Sequence, residues 1–432
     1  MTDIEAALER IAARRPRIID LSLDRVHAAL SRLGDPHRAL PPVFHIAGTN
    51  GKGSTIAFLR SMLEATGKSV HVYTSPHLVR YNERIILAGA EISDAGLIDA
   101  LDIVDRAVGN EKLTYFETIT CAAFVAFAQT PADFLLLEVG LGGRLDATNV
   151  IDRPLVAAVA PVDMDHEQFL GNTINAIAAE KAGIFRKDTP AVIGRQNADA
   201  MAVLLQCVQE CGARPYAMGQ DWDAYFERGR FVFQDDAGLL DLDPPRLPGV
   251  HQADNAGLAV AAIRAADLSI DDDTLSRGIA AASWPGRLQR LTRGPLIELA
   301  ADATDAAPEI WLDGGHNPHA GRAVAAAMAD MEARSPRPLV LIAGMQANKN
   351  AQGFFANFEG VARRALIVAA TSDAAADTAD LAAEATEAGL EASVHDTVEG
   401  ALRAACTSGD GAPRILVCGS LYLVGDILRE NA

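Results

Sequence analysis

The residues best suited to chemistry in this chain are the seven from Gly48 to Ser54, which read Gly-Thr-Asn-Gly-Lys-Gly-Ser. They follow an apolar run, residues 43–47, that predicts a β-strand, and they lead into an amphipathic stretch, residues 54–66, that predicts a helix. A glycine-rich turn between a strand and a helix lets backbone N–H groups converge on phosphate oxygens. The helix N-terminus and Lys52 add positive charge. The pattern indicates a nucleotide phosphate site, with an ordinary glycine-rich turn as the alternative.

This loop differs from the strict Walker spacing. Ile46 stands where that pattern has its first glycine, and Gly53 separates Lys52 from Ser54. The seven residues are therefore interpreted as a shorter, variant phosphate loop.

Oxygen and nitrogen ligands follow other predicted strands. Glu138 lies near the end of the apolar run 134–139, Ser75 follows the run 70–73, and His166 comes after a third strand. The carboxyl ends of parallel strands share one edge of a sheet, where ligands bind in open α/β folds. Carboxylate and hydroxyl oxygens suit Mg²⁺, so this edge is a candidate metal site beside the phosphates. The alternatives are a capping or ion-paired Glu138, a Ser-Pro turn at Ser75 and a structural His166.

The second half of the chain repeats this arrangement. Asp313 and His316 follow another predicted strand, and Arg287 lies in a turn-rich stretch where a guanidinium could reach a γ-phosphate with two hydrogen bonds. We expect Asp313 and His316 to face the first domain across a cleft that holds the nucleotide, with surface or capping roles as the alternative. Lys181, at the end of a predicted helix, is by its residue pattern an ordinary surface lysine.

Apolar strands and helices alternate over most of the 432 residues, which predicts the α/β class and parallel sheets covered on both faces. The first forty residues read as helical, and a hairpin is expected between about 216 and 243. We predict a parallel-sheet ATPase domain containing the phosphate loop over residues 1–292, followed by a smaller Rossmann-like α/β domain over residues 293–432.

Composition limits the classes of partner. The net charge of −19 argues against a general binder of nucleic acids or anionic membranes, which needs a basic surface. No signal peptide and no long apolar segment is visible, and five cysteines, an odd number, indicate free thiols in a reducing compartment. We expect a cytoplasmic protein that acts on small molecules, and a monomer.

Taken in order, the motifs resemble the folylpolyglutamate synthase and dihydrofolate synthase family, within the wider Mur-ligase superfamily. The resemblance covers nearly the whole chain. Its motifs are GTNGKGS at 48–54, YTSPHLVRYNERI at 73–85, LTYFE at 113–117, LLEVGLGGRLDATN at 136–149, EKAGIFR at 180–186, HQADNAGLA at 251–259, PGRLQ at 285–289, HNPHA at 316–320 and CGSLYLVGD at 418–426.

The resemblance implies a role for each matching residue. One set would bind ATP: Gly48, Thr49, Asn50, Gly51, Lys52, Gly53, Ser54, Asn255, Arg287, Asp313 and His316. A second set would hold two Mg²⁺ ions: Ser75, Glu138, His166 and, if carbamylated, Lys181. Phe116 and Asp146 match positions of the pterin site. Lys52, Lys181, His166 and Arg287 would be the catalytic residues.

Three positions depart from the family pattern. Met164 precedes Asp165 and His166 where leucine is common, and Gly314-Gly315 is less bulky than usual before His316. In the loop 344–350, asparagines flank Lys349 where acidic residues are frequent. The last change bears on any charge-dependent contact from this loop.

The implied chemistry is ATP-dependent amide formation, in which a substrate carboxylate becomes an acyl phosphate and glutamate then displaces phosphate. We expect a bifunctional enzyme acting on dihydropteroate and on tetrahydrofolates. The alternatives are a folylpolyglutamate synthase only, a Mur ligase of peptidoglycan synthesis, and a non-catalytic nucleotide-dependent switch. About 42 residues precede the phosphate-loop strand, too few for the separate N-terminal domain that Mur ligases use for a UDP sugar.

Overall fold

The computed structural model describes residues 3–14, 21–109, 113–303, 308–372, 374–407 and 412–431. Part of the helical segment expected in the first forty residues, positions 15–20, lies outside these ranges. The chain forms two compact units. Unit 1 comprises residues 1–246 and 253–283, and unit 2 comprises residues 247–252 and 284–432.

Unit 1 is built on an eight-stranded sheet with a small appended sheet. Its strands are β1 (Val43–Ala47), β2 (Val70–Tyr73), β3 (Ile85–Leu87), β4 (Ala90–Glu91), β5 (Phe134–Glu138), β6 (Val156–Val159), β7 (Pro190–Ile193), β8 (Arg214–Ala217), β9 (Trp222–Glu227), β10 (Arg230–Asp235) and β11 (Gly238–Leu242).

Its helices are α1 (Asp3–Arg14), α2 (Asp24–Arg32), α3 (Lys52–Ala65), α4 (Asp94–Val108), α5 (Tyr115–Gln129), α6 (Glu167–Leu170), α7 (Ile174–Ala182), α8 (Ala198–Cys211), α9 (His251–Ala265) and α10 (Asp272–Ala281). The first two residues of α9 cluster with unit 2.

The large sheet has the strand order β4-β3-β2-β5-β1-β6-β7-β8. Strands β2, β5, β1, β6, β7 and β8 are parallel, which confirms the predicted parallel sheet. At one edge, β3 pairs antiparallel with β2 and with β4. All five residues of β1 and of β5 are buried, since helices cover both faces. The register places Ile46 opposite Glu138, so Glu138 ends its strand beside the start of the phosphate loop.

The region in which a hairpin is expected, about residues 216–243, contains the appended sheet, β11-β10-β9, which is antiparallel. The expected hairpin is present: β10 and β11 pair from Phe231–Leu242 to Asp235–Gly238. The structure adds β9 as a third strand, which pairs antiparallel with β10, and Trp222 of β9 stacks on Phe233 of β10 at 5.7 Å between ring centroids.

Unit 2 is a second α/β sheet. Its strands are β12 (Gln289–Leu291), β13 (Glu309–Leu312), β14 (Leu339–Ala343), β15 (Ala362–Ile367), β16 (Glu391–Val394) and β17 (Arg414–Cys418). Its helices are α11 (Pro295–Ala303), α12 (Pro318–Arg334), α13 (Ala351–Phe355), α14 (Thr378–Glu387), α15 (Val398–Cys406) and α16 (Leu421–Glu430). The order is β12-β13-β17-β14-β15-β16, parallel except for β12.

The division between the units differs from the sequence-based boundary at 292/293. The units separate between Ser283 and Trp284, and residues 247–252 also cluster with unit 2. The physical reason is strand β12, whose three residues hydrogen-bond to β13 and so belong to the second sheet. A three-residue strand carries too little apolar periodicity to be recognised from sequence.

Helix α3, which follows the phosphate loop, packs closely against α10. A Cβ atom built on Gly278 would lie 2.6 Å from the Cα and 2.9 Å from the backbone nitrogen of Met62. Because backbone atoms cannot rotate away, only glycine permits this helix separation.

Among the described residues, no helix is both long and apolar enough to span a membrane.

Replacing Gly278 by alanine should lower the free energy of unfolding by about 1–3 kcal/mol, since the added methyl group forces α10 away from α3. The matched control is Gly400→Ala on α15, where the nearest atom to a new Cβ is a threonine side-chain oxygen at 3.5 Å. There the higher helix propensity of alanine should leave stability unchanged or raise it by up to about 1 kcal/mol. Calorimetric melting of both variants tests this; equal melting temperatures for G278A and wild type would contradict it.

Candidate active site

The phosphate loop has the backbone shape that its glycines predict. Gly48 and Gly51 adopt positive φ angles of 148° and 87°, which side-chain-bearing residues rarely adopt. Helix α3 begins at Lys52, two residues before the expected start, with Gly51 as its N-cap. The backbone N–H groups of Thr49 and Asn50 both donate to the carbonyl of Pro161, which holds the loop against the chain that follows β6.

The remainder of the loop is equally confined. A Cβ on Gly48 would lie 2.8 Å from the Cβ of Ala160, and one on Gly51 would lie 2.3 Å from Oδ1 of Asn255. Asn255, on α9, is buried. The structure thus brings this predicted ATP-binding residue to the loop from more than 200 residues away in sequence.

Two lysines converge on one carbonyl oxygen of the loop. Nζ of Lys52 donates to the Gly48 carbonyl at 3.0 Å, and Nζ of Lys181 donates to the same oxygen at 3.1 Å. Lys52 also lies 3.9 Å from Oε1 of Glu138. Burial, together with the nearby charge of Lys52, lowers the pKa of Lys181 to about 7. The surface-lysine interpretation of Lys181 is wrong in this structure, because the side chain is buried against the phosphate loop.

Glycines bring Lys181 to this position. A Cβ on Gly143 would lie 2.7 Å from the carbonyl oxygen of Glu180 and 3.0 Å from Cα of Lys181, and one on Gly183 would lie 2.4 Å from Cα of Arg144. The segment after β5 therefore lies directly on the end of α7. The glycine pairs of the sequence were the available signal for this approach, but their partners are distant in sequence.

Two candidate metal ligands are adjacent. The backbone N–H of Ser75 donates to Oε2 of Glu138 at 3.1 Å, so the two residues meet at the carboxyl edge of the sheet. His166 has a left-handed backbone (φ 53°), directly precedes α6, and its Nε2 lies 3.9 Å from Oδ1 of Asp165. Among the described residues, no group of three or more His, Cys, Asp or Glu side chains forms a ready metal cage.

Phe116 and Asp146 both contact the start of the segment that follows β5, at Gly140 and Leu141. The ring of Phe116 lies over Gly140, where a Cβ would meet its Cζ at 2.4 Å. Asp146 is buried, and its Oδ2 accepts a hydrogen bond from the N–H of Leu141 at 2.8 Å. Burial raises the pKa of Asp146, and hydrogen bonds from its own segment oppose that rise. The pterin contacts of both residues stay predictions.

Sequence reasoning missed three supports of this segment. His45 and Thr148 form hydrogen bonds beneath Asp146, and Asn149 donates from Nδ2 to the carbonyls of Arg144 and Gly183, each at 3.0 Å. All three are polar residues within or beside apolar strands and glycine-rich turns, and there the residue type alone does not predict the hydrogen-bond partner.

In unit 2, Asp313 organises the turn that carries Arg287. Its Oδ2 accepts from the N–H of Leu288 at 2.9 Å, and its Oδ1 accepts from the N–H of Gly315 at 2.7 Å. Burial raises the pKa of Asp313, and the charge of Arg287 opposes that rise. Nδ1 of His316 donates to the Gly314 carbonyl at 2.9 Å. These three predicted ATP-binding residues thus lie in one strand-end region of unit 2, and their contact with ATP stays a prediction.

The asparagine-rich loop has a structural role in unit 2. Asn350 is the N-cap of α13, and its Oδ1 accepts a hydrogen bond from the N–H of Gly353 at 2.8 Å. Asparagine is among the preferred N-cap residues, so this departure from the family pattern serves helix initiation.

The chain matches known proteins along nearly its whole length. Residues 46–263 match the Mur ligase middle domain, and residues 298–421 match the Mur ligase glutamate ligase domain. A dihydrofolate synthase/folylpolyglutamate synthase of Escherichia coli is 36% identical over 413 residues, which cover 96% of this chain and 92% of that protein.

Solved structures agree. The Escherichia coli FolC protein in complex with DHPP and ADP superposes with a TM-score of 0.88 at 33% identity, covering 99% of this chain and 97% of that one. A bifunctional folylpolyglutamate synthase/dihydrofolate synthase of Yersinia pestis, complexed with AMPPNP and a Mn ion, superposes with a TM-score of 0.86 at 31% identity, covering 99% and 98%. The chain therefore belongs to the dihydrofolate synthase/folylpolyglutamate synthase family of Mur-ligase enzymes.

Proposed function

We propose that this protein is an ATP-dependent ligase that joins L-glutamate to dihydropteroate and to tetrahydrofolate (poly)glutamates, releasing ADP and phosphate. The observation that carries the proposal is the convergence of Lys52 and Lys181 on the Gly48 carbonyl, beside the carboxylate of Glu138. Two lysine side chains and a carboxylate at a glycine-rich helix N-terminus suit the binding of a nucleoside triphosphate with a divalent metal.

The reaction requires charge neutralisation more than covalent help from the protein. A substrate carboxylate attacks the γ-phosphorus of ATP, an acyl phosphate forms as ADP leaves, and the amine of glutamate then attacks the acyl carbon and expels phosphate. Phosphoryl transfer of this kind depends on positioning and electrostatic stabilisation. Residues 48–54, with Lys52 among them, and Asn255 would hold the phosphates. The family resemblance assigns ATP-binding roles to Arg287, Asp313 and His316 as well.

The donor set fits Mg²⁺. Ser75 and Glu138, which already touch, would hold one ion, and His166 with a carbamylated Lys181 would hold a second. When bound, Mg²⁺ neutralises phosphate charge. A carbamate forms when the uncharged amine of Lys181 adds to CO₂ and loses a proton, which turns a cationic group into an anionic ligand. The buried setting of Lys181 favours the uncharged amine that this step needs.

The proposed pterin site rests on Phe116 and Asp146. The ring of Phe116 and the carboxylate of Asp146 both contact the segment after β5, and they would offer a pterin an aromatic face and a hydrogen-bond acceptor. The relatives' names pair dihydrofolate synthase with folylpolyglutamate synthase activity, and the same pair is proposed here. The chain's acidic charge agrees with small-molecule substrates rather than nucleic acid, and a monomer in the cytoplasm is the proposed state.

Purified protein supplied with ATP, Mg²⁺ and L-glutamate should release phosphate on addition of dihydropteroate and, separately, on addition of tetrahydrofolate. Phosphate release measured with each substrate tests both halves of the proposal. Turnover of tetrahydrofolate alone would restrict the protein to folylpolyglutamate synthesis, and turnover of neither would overturn the ligase assignment.

Lys181→Met should reduce the turnover number at least about 100-fold while ADP affinity changes little, since a carbamylated Lys181 would hold the second Mg²⁺ for the reacting phosphate rather than bind the nucleotide itself. Lys187→Met, on the exposed surface nearby, is the matched control and should retain wild-type turnover. Steady-state phosphate release and ADP titration calorimetry provide the two measurements. A K181M protein with normal turnover would contradict a catalytic role.

Gly51→Ala should raise the KM for ATP by about tenfold or more, because the methyl group would collide with Asn255 as well as strain a positive φ. Gly67→Ala is a close control: its φ is also positive, at 82°, but no atom lies within 4 Å of a new Cβ. G67A should lose about 1 kcal/mol of stability and keep its KM. If both variants raise the KM equally, the loop contact with Asn255 has no part in ATP binding.

A further inference from the structure

A buried carboxylate fixes the segment under Phe116. Asp146 accepts hydrogen bonds from the backbone N–H groups of Leu141 and Thr148 and from the hydroxyl of Thr148. Because of these three donors, the orientation of the carboxylate and the path of the segment after β5 depend on each other.

The hydroxyl of Thr148 has a second partner. Nε2 of His45 lies 2.9 Å from Oγ1 of Thr148, and both side chains are fully buried. A threonine hydroxyl has one proton, and here it is donated to Asp146, so the hydroxyl oxygen accepts from an Nε2–H of His45. Burial lowers the pKa of His45 to about 3, which keeps the ring neutral at physiological pH.

This chain of hydrogen bonds connects the sheet to the pterin segment. His45 lies in the middle of β1, paired with Leu137 of β5 and Ala157 of β6, so its ring is anchored in a fully buried strand inside the sheet. From there the hydrogen bonds run through Thr148 to Asp146, and from Asp146 to Leu141, which directly follows Gly140, the residue that the ring of Phe116 covers.

We propose that His45 and Thr148 are positioning residues for pterin recognition, because they orient the carboxylate of Asp146 and the segment beneath Phe116. The inference rests on the proposed function. Neither residue touches the substrate; each acts through Asp146. Second-layer hydrogen bonds to a ligand-binding group commonly change affinity or activity by about 10- to 100-fold.

The test compares variants that remove a hydrogen bond with variants that retain it. Thr148→Val keeps the shape and removes the hydroxyl, whereas Thr148→Ser keeps the hydroxyl. His45→Leu removes the donor, whereas His45→Gln places an N–H at similar reach. Thr118→Val is the matched control: Thr118 is also fully buried, but its hydroxyl donates to the carbonyl of Thr114, the N-cap of its own helix.

Steady-state kinetics should show a KM for dihydropteroate raised about tenfold in T148V and H45L, with the KM for ATP changed less than about twofold. T148S, H45Q and T118V should stay within about threefold of wild type for both substrates. A purely structural role would lower the yield of active enzyme, and hence the apparent kcat, without moving one KM selectively. If T148V does not fold, the H45L and H45Q pair decides in the same way.

An unchanged KM for dihydropteroate in T148V or H45L, an equal rise in the KM for ATP, or failure of T148S to restore the wild-type value would overturn the inference. Each of these results leaves the wild-type ligase activity, and so the proposed function, intact. A wild-type protein that turns over tetrahydrofolate but not dihydropteroate would overturn the dihydropteroate half of the proposed function, and this inference with it.

Discussion

The carbonyl oxygen of Gly48 is the point on which the candidate active site of unit 1 depends. It accepts hydrogen bonds from the ammonium groups of both Lys52 and Lys181, which brings two like charges together at the start of the phosphate loop. Such an arrangement is unfavourable unless a negative charge is close or one lysine gives up its proton. Glu138 supplies part of that negative charge, and burial, together with the charge of Lys52, lowers the pKa of Lys181. A site of this kind is prepared for an anionic ligand.

The sheet and the glycines make that convergence possible. Strand β1 lies between β5 and β6, so the loop that follows it is flanked by Glu138 on one side and by the segment carrying His166 on the other. Close approaches at Gly143 and Gly183 then bring the end of α7 onto the segment after β5. A side chain at either glycine would separate Lys181 from the phosphate loop, because the opposing atoms belong to the backbone and cannot rotate away.

Buried aspartates serve a similar purpose in each unit. Asp146 in unit 1 and Asp313 in unit 2 both follow a strand, are both buried, and both accept hydrogen bonds from backbone N–H groups of glycine-containing turns. Asp146 accepts a hydrogen bond from the turn that the ring of Phe116 covers, and Asp313 accepts one from Leu288, directly after Arg287. A residue type chosen from sequence as a ligand can therefore also be a scaffold for its neighbours.

The sequence alone determined the α/β class, the parallel sheet, the phosphate loop and the hairpin, because these depend on local periodicity and on glycine at fixed spacing. Motif order also determined the family. Only the tertiary structure decided that Lys181 is buried, that Asn255 reaches the phosphate loop and that His45 supports Asp146 through Thr148. The boundary at Ser283/Trp284 was decided in the same way, by the pairing of β12 with β13. Each of these facts joins residues that are distant in sequence, and burial or hydrogen bonding between such residues follows from the packing of the whole unit rather than from any local pattern.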